Sequence, residues 1–215
     1  MRLTEQYRPK TLADVVGQPV VQRHLMPLVR RPAASCWLLT GSGGTGKTSA
    51  AHAVAHELGV DPFYDFHEYP ACDLTIDECR RLFTGTLRYR PLKGWKVLLV
   101  EELDRVASDA VLQFLKHHLE PKRMPERLIV LATSNDVSGL DAAFLQRWQV
   151  VQFADGVPFH QAIHARLRLL WAELSQAPLP PEARNWGRDG EGWSMRVALD
   201  ELENHLSALV AEVAA

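Results

Sequence analysis

The chain is poor in cysteine: Cys36, Cys72 and Cys79 are the full complement in 215 residues. Three thiols this scattered make neither a disulfide framework nor a zinc ribbon. No apolar run reaches the roughly 18 residues that a membrane-spanning helix needs. The opening decapeptide MRLTEQYRPK also lacks the apolar stretch of a secretory signal. A cytoplasmic protein with no membrane partner is the expectation. A dominant charge is missing too. Lysine and arginine number 24 against 26 acidic residues, a formal charge of −2, so any contact with nucleic acid has to come from a local patch. What is present is ordinary globular composition, 47% apolar and 23% charged, which excludes a largely disordered chain.

Short apolar runs alternate with helical patterns, the signature of a mostly parallel sheet covered by helices. Residues 1–17 read as extended and turn-rich. In residues 19–29, Val20, Val21, Leu25 and Leu28 fall on one helical face. Strands are predicted at residues 36–40, 63–69, 96–100, 128–132 and 150–153. Two of these, VLLV and LIVLA, show no polar alternation, as central parallel strands should not. Helices are predicted at residues 48–58, 75–84 and 108–119. The second opens on Thr-Ile-Asp-Glu, a capping box. After residue 154 the strand signal ends, and helical patterns at 158–174 and 193–213 are separated by the Pro/Gly-rich QAPLPPEARNWGRDGEG. The expected organisation is an α/β core over 1–154 and a small helical piece over 155–215.

Gly41-Ser42-Gly43-Gly44-Thr45-Gly46-Lys47-Thr48 fits G-x-x-x-x-G-K-[ST] at each fixed position, between a buried strand and a helix that also takes in Ser49. Glycines let backbone N–H groups converge on an anion, and the helix N-terminus adds partial positive charge. In such a phosphate loop, Lys47 neutralises the β- and γ-phosphates of ATP and Thr48 is a Mg²⁺ ligand. A second strand lying beside the first is expected to bring acids to the metal, and VLLV followed by Glu101-Glu102 supplies them. By position Glu101 takes the metal role and Glu102 that of general base. The usual pair is Asp-Glu. Glu101 is one methylene longer, so it must withdraw or displace a metal-bound water, and magnesium tolerates little distortion of its shell.

YRPKTLADVVGQ, GSGGTGKT, VLLVEELDR, DAVLQFLKHHLEP, LIVLATSND and LDAAFLQRWQVVQF occur in the order seen in clamp-loader ATPases. The chain thus resembles the replication factor C and bacterial clamp-loader branch of the AAA+ superfamily over nearly its whole length, and GWSMRVALDEL is similar to that branch's G-D-x-R-x-A-x-N helix. The resemblance implies a P-loop AAA+ core with helices on both faces of the sheet, then a shortened all-helical lid. It implies that Tyr7, Arg8, Pro9, Val15, Val16 and Gly17 line an adenine pocket. Asn135 would be the sensor that holds the attacking water, and Arg196 a second sensor reaching from the lid. Arg147 falls where the family has Ser-Arg-Cys, whose arginine completes a neighbouring subunit's site; here the triplet is Gln-Arg-Trp.

The same resemblance implies ATP and Mg²⁺ as ligands, other AAA+ subunits and a sliding clamp as partners, and DNA held by its backbone. Thr75, Arg80 and Arg81, with Ser108 at the next helix start, match the family's DNA-facing segments. Arg88, Arg90, Lys93 and Lys96 continue a basic cluster downstream. The family's third, collar-forming helical domain is not matched, which fits either a reduced phage or mobile-element member or a shortened chain. Two rival readings stay open: a helicase-loading, recombination or branch-migration ATPase, and a nucleotide-bound regulatory subunit that does not hydrolyse. No aromatic–apolar–Gly pore loop follows the second strand, which disfavours a protein unfoldase.

Overall fold

A computed structural model describes residues 2–190 and 192–214. Five parallel strands form the central sheet: β1 (Ser35–Thr40), β2 (Phe66–Pro70), β3 (Lys96–Glu101), β4 (Leu128–Ser134) and β5 (Gln149–Gln152). Their order is β2-β3-β4-β1-β5. The strand ending in Glu101 was expected beside β1; instead β4 lies between them, with Thr40 in register with Ser134 and Val100 with Ala132. The consequence is useful, because the carboxyl end of β4 puts Asn135 between the phosphate loop and the acids.

The non-alternating apolar runs end up in the middle of the sheet, where both faces are covered: all seven residues of β4 are buried. One face packs on α2 (Pro19–Arg30) and α3 (Lys47–Glu57) through residues such as Val21, Leu25, Ala50, Val54, Leu39 and Leu131. The other packs on α4 (Ile76–Thr84) and α5 (Asp109–His118) through Leu82, Phe83, Val111, Leu115, Leu98 and Val130. Each such valine, leucine or phenylalanine contributes about 1.5–3 kcal/mol on full burial. Val20, placed by its spacing on the buried face of α2, is 47% exposed. The helix stripe is narrower than the pattern suggests.

Helix starts follow their polar signals. Thr75 accepts from the N–H of Glu78 at 3.2 Å and Ser108 from that of Ala110 at 3.2 Å. The capping box of α4 is only half formed, since the Glu78 carboxylate turns to Arg81 rather than back to Thr75. The predicted strand at 63–69 begins at Phe66, because Asp61 draws the N–H groups of Phe63 and Tyr64 into a turn.

A third apolar cluster lies beyond β5 and joins α7 (Val157–Leu174) to α8 (Met195–Ala214) through Phe159, Ile163, Leu170, Trp186, Ala198 and Leu202. The leader contributes to it, contrary to the extended reading: α1 (Leu3–Gln6) sends Leu3 into this cluster. The short α6 (Ala142–Leu145) precedes β5. Within the Pro/Gly-rich connection, expected as a loop, residues Pro181–Asn185 form a 3-10 turn and β6 (Arg188–Asp189) pairs antiparallel with β7 (Gly192–Trp193). Trp186 is buried in the helical cluster, whereas Trp148 belongs to the α4–α5 side of the sheet core.

Candidate nucleotide site

The loop between β1 and α3 turns at residues that only glycine tolerates well. Gly41, Gly44 and Gly46 have φ of 137°, 71° and 96°. Among the described residues, the N–H groups of Gly43, Gly44, Thr45, Gly46, Lys47, Thr48 and Ser49 donate to no protein acceptor; the first that does is Ala50, to Gly46 O at 2.8 Å. A row of unpaired donors at a helix N-terminus is a ready cradle for phosphate. Lys47 is 8% exposed. Its ammonium donates to Gly41 O at 2.6 Å, Ser42 O at 2.7 Å and Asn135 Oδ1 at 2.8 Å. Burial, reinforced by the positive charge of Arg196 and opposed by Asp104 and Glu102, pushes its pKa down to about 8. A buried cation short of carboxylate partners is suited to receive phosphate oxygens, so the loop fits ATP.

At the end of β3 the chain turns sharply. Glu102 has φ 54°, the one positive value for a non-glycine among the described residues. That strained backbone is held by its N–H donating to Thr133 Oγ1 at 3.0 Å. Glu101 and Glu102 thereby part company. Glu101 accepts the Thr48 hydroxyl at 2.8 Å, while Glu102 pairs with Arg105 at 3.0 Å. The Thr48–Glu101 pair is a hard-oxygen set of the kind magnesium takes, and these two residues would hold the metal.

One cleft of about 1290 Å³ gathers most of the predicted site. Its walls carry Tyr7, Arg8, Pro9, Val15, Val16 and Gly17 from the leader, Gly43, Gly44, Thr45, Gly46, Lys47, Thr48 and Ser49 from the loop, and Glu101, Glu102 and Asn135 from the strand ends. From the lid side come Arg196 and Arg166. Gly41 and Ser42 lie behind the wall: Gly41 serves through its carbonyl, and the Ser42 hydroxyl donates to Asp155 at 2.7 Å. Arg147 does not face this cleft. Its guanidinium donates to Ala143 O at 2.8 Å and approaches Glu120 at 3.4 Å, and its Nε is buried without a partner. Thr75, Arg80, Arg81 and Ser108 also lie elsewhere. Arg80 and Arg81 are paired along their own helix with Asp77 and Glu78.

Five contributors went unread in the sequence. Asp104 accepts from the Ser134 hydroxyl at 2.9 Å and from the N–H of Asn135 at 3.1 Å, fixing the backbone at Asn135. The acid two residues beyond Glu102 was the available signal. Gln18, 2% exposed, donates to Ala154 O at 2.7 Å and accepts from its N–H at 3.0 Å, binding the leader to the start of the lid. Arg166 lies 5.8 Å over the Tyr7 ring, whose hydroxyl donates to Glu173 at 3.0 Å. Finally, Ser194 and Met195 rest on the phosphate loop: the Met195 N–H donates to Gly44 O at 3.0 Å, and a Cβ on Gly44 would collide with Ser194.

Comparison with known proteins agrees with this geometry. The family model described as ATPase family associated with various cellular activities (AAA) matches residues 37–155. A replication factor C small subunit of Aeropyrum pernix is 35% identical over 136 residues, covering 61% of this chain and 42% of the relative. That of Staphylothermus marinus is 30% identical over 204 residues, 93% of this chain and 60% of the relative. The chain therefore spans about half the length of these relatives. Their names bear out the clamp-loader resemblance of the leader and motifs. In structure, the Thermotoga maritima RuvB Holliday junction branch migration motor superposes with a TM-score of 0.69 over 92% of this chain and 64% of that one. At 20% identity the likeness speaks to the fold alone. Among the described residues no helix is long and apolar enough to cross a membrane.

Proposed function

The chain belongs to the AAA family of ATPases, and on that premise we propose that it binds and hydrolyses ATP as a clamp-loader subunit, acting with neighbouring AAA+ subunits to place a sliding clamp on DNA. The observation that carries the reading is the single cleft onto which the leader, the phosphate loop, the acid pair, Asn135 and Arg196 all open. The leader Tyr7-Arg8-Pro9 forms the adenine wall. The free N–H groups of the loop and Lys47 take the phosphates.

Bound between Thr48 and Glu101, magnesium would supply positive charge against the β- and γ-phosphates. Glu102, released from Arg105, accepts a proton from water, and Asn135 orients that water from the side of Lys47. Arg196 adds charge where it develops in the transition state. Arg147, turned away from its own cleft, serves as a finger toward an adjoining subunit, which makes hydrolysis report on assembly. Thr75 and Ser108, each capping a helix N-terminus, with Arg80 and Arg81, contact a DNA backbone without reading sequence.

Steady-state ATP turnover by the purified chain, with and without primer–template DNA, tests this. Turnover that rises with DNA supports a DNA-coupled ATPase. ATP binding with no turnover in either condition sinks the hydrolysing reading and favours a regulatory subunit.

A further inference from the structure

At the amino end of the sheet, opposite the nucleotide cleft, two loops that are distant in sequence close over a second cleft of about 740 Å³. One loop leads into β3 and brings Arg88, Arg90 and Lys96; the other leads into β4 and brings Lys122, Arg123 and Arg127. Glu126 is the single acid lining it. Some exposed arginines elsewhere are neutralised locally, as in Arg80–Asp77, Arg81–Glu78 and Arg105–Glu102, while others, such as Arg30 and Arg31, stand singly without an ion pair among the described residues. Here Arg88, Arg90, Lys96, Lys122 and Arg127 have no ion pair among the described residues, and only Arg123 has one, with Glu120. Lys96 is 5% exposed and its ammonium has a lone carbonyl partner, Thr86 O at 2.6 Å. Cations crowded without counter-charge on a chain of net charge −2 repel one another. A polyanion relieves that repulsion.

Tyr89 sits on the same wall and is 74% exposed. An exposed ring beside unpaired arginines and lysines is the combination that takes an unpaired base together with its phosphates. We propose that this cleft is a binding site for a single-stranded nucleic-acid segment, held by phosphate contacts to Arg90, Lys122 and Arg127 and by a base stacked on Tyr89. It is separate from both the nucleotide cleft and the Thr75–Ser108 face, and it does not depend on the clamp-loader reading. A free polyphosphate shares the phosphate chemistry but has nothing to stack, so the ring separates the two.

Fluorescence anisotropy with a labelled oligothymidylate, run on the full chain at several salt concentrations, tests the proposal. Arg90→Glu/Lys122→Glu, both at exposed positions, should weaken binding at least tenfold. The slope of log K against log salt should fall by about 1.4, the single-strand value for two lost phosphate contacts. Tyr89→Ala should cost roughly tenfold for the oligonucleotide and leave competition by inorganic tripolyphosphate unchanged. Retained ATP affinity and circular dichroism in each variant exclude misfolding. Affinity that survives the charge reversals, or that falls only in Arg80→Glu/Arg81→Glu, overturns the site. Tripolyphosphate binding without oligonucleotide binding, or indifference to Tyr89→Ala, overturns the single-strand assignment.

Discussion

The ammonium of Lys47 lies 2.8 Å from Oδ1 of Asn135, so the phosphate loop and the end of β4 are already joined by a charge-assisted hydrogen bond. An incoming phosphate has to take a share of that ammonium from Asn135. Because burial holds the Lys47 pKa at about 8, part of the ammonium population is neutral under mildly alkaline conditions. Phosphate favours the charged form. ATP affinity should be flat below pH 8 and fall as the pH rises through it. Above pH 8, binding should be accompanied by proton uptake, measurable by calorimetry in buffers of different ionisation enthalpy. Affinity independent of pH from 7 to 9.5 would contradict this.

Asp104 should matter through Asn135 rather than by touching substrate. Asp104→Ala removes the acceptor of two hydrogen bonds, one from Ser134 and one from the Asn135 backbone. About 1–3 kcal/mol of stability should be lost, visible as a lowered melting temperature. In turnover assays kcat should drop while KM for ATP changes little. Asp104→Asn, which keeps one acceptor oxygen, should recover much of the rate.

Gly44→Ala should loosen the lid from the phosphate loop. Its φ of 71° strains any L side chain, and the added methyl meets Ser194. A destabilisation of about 1–3 kcal/mol is expected, together with weaker ATP binding. Pairing it with Ser194→Gly in a double-mutant cycle should give a total smaller than the sum of the single effects. Strict additivity would mean that the two residues do not meet.

Glu101 occupies the place where an aspartate is usual, and its extra methylene lets it accept the Thr48 hydroxyl directly. Glu101→Asp should retract the carboxylate and leave room for a metal-bound water. The magnesium concentration for half-maximal turnover should fall several-fold, with ATP affinity in the absence of metal unchanged. An increase would show that the longer acid is the fitted one.

Much of this was legible in the chain. Spacing and fixed residue types identified the phosphate loop, and unbroken apolar runs identified central strands, because burial on both faces leaves no polar alternation. Leader residues 7–9 and 15–17, singled out by resemblance, line the cleft. Strand order was not legible: nothing local in VLLV or LIVLA says that β4 separates β3 from β1, since that is decided by how crossover helices pack. The placement of Asp104 beside Asn135 is likewise a product of the β3–β4 neighbourhood, and the basic cleft exists only because loops 88–96 and 122–127 meet at the amino end of the sheet. The leader helix α1 was missed because four residues carry too little periodicity, and tertiary packing of Leu3 on the lid decides it.

Single-turnover hydrolysis of labelled ATP, with the wild-type chain and the Glu102→Gln variant each in excess over nucleotide and with magnesium present, tests the central claim most directly. The account predicts that both proteins bind ATP within a few-fold of one another and that the variant's hydrolysis is slower by about a hundredfold or more, the loss expected of a missing general base. Equal hydrolysis by the two proteins, or no ATP binding by the wild type, would contradict it.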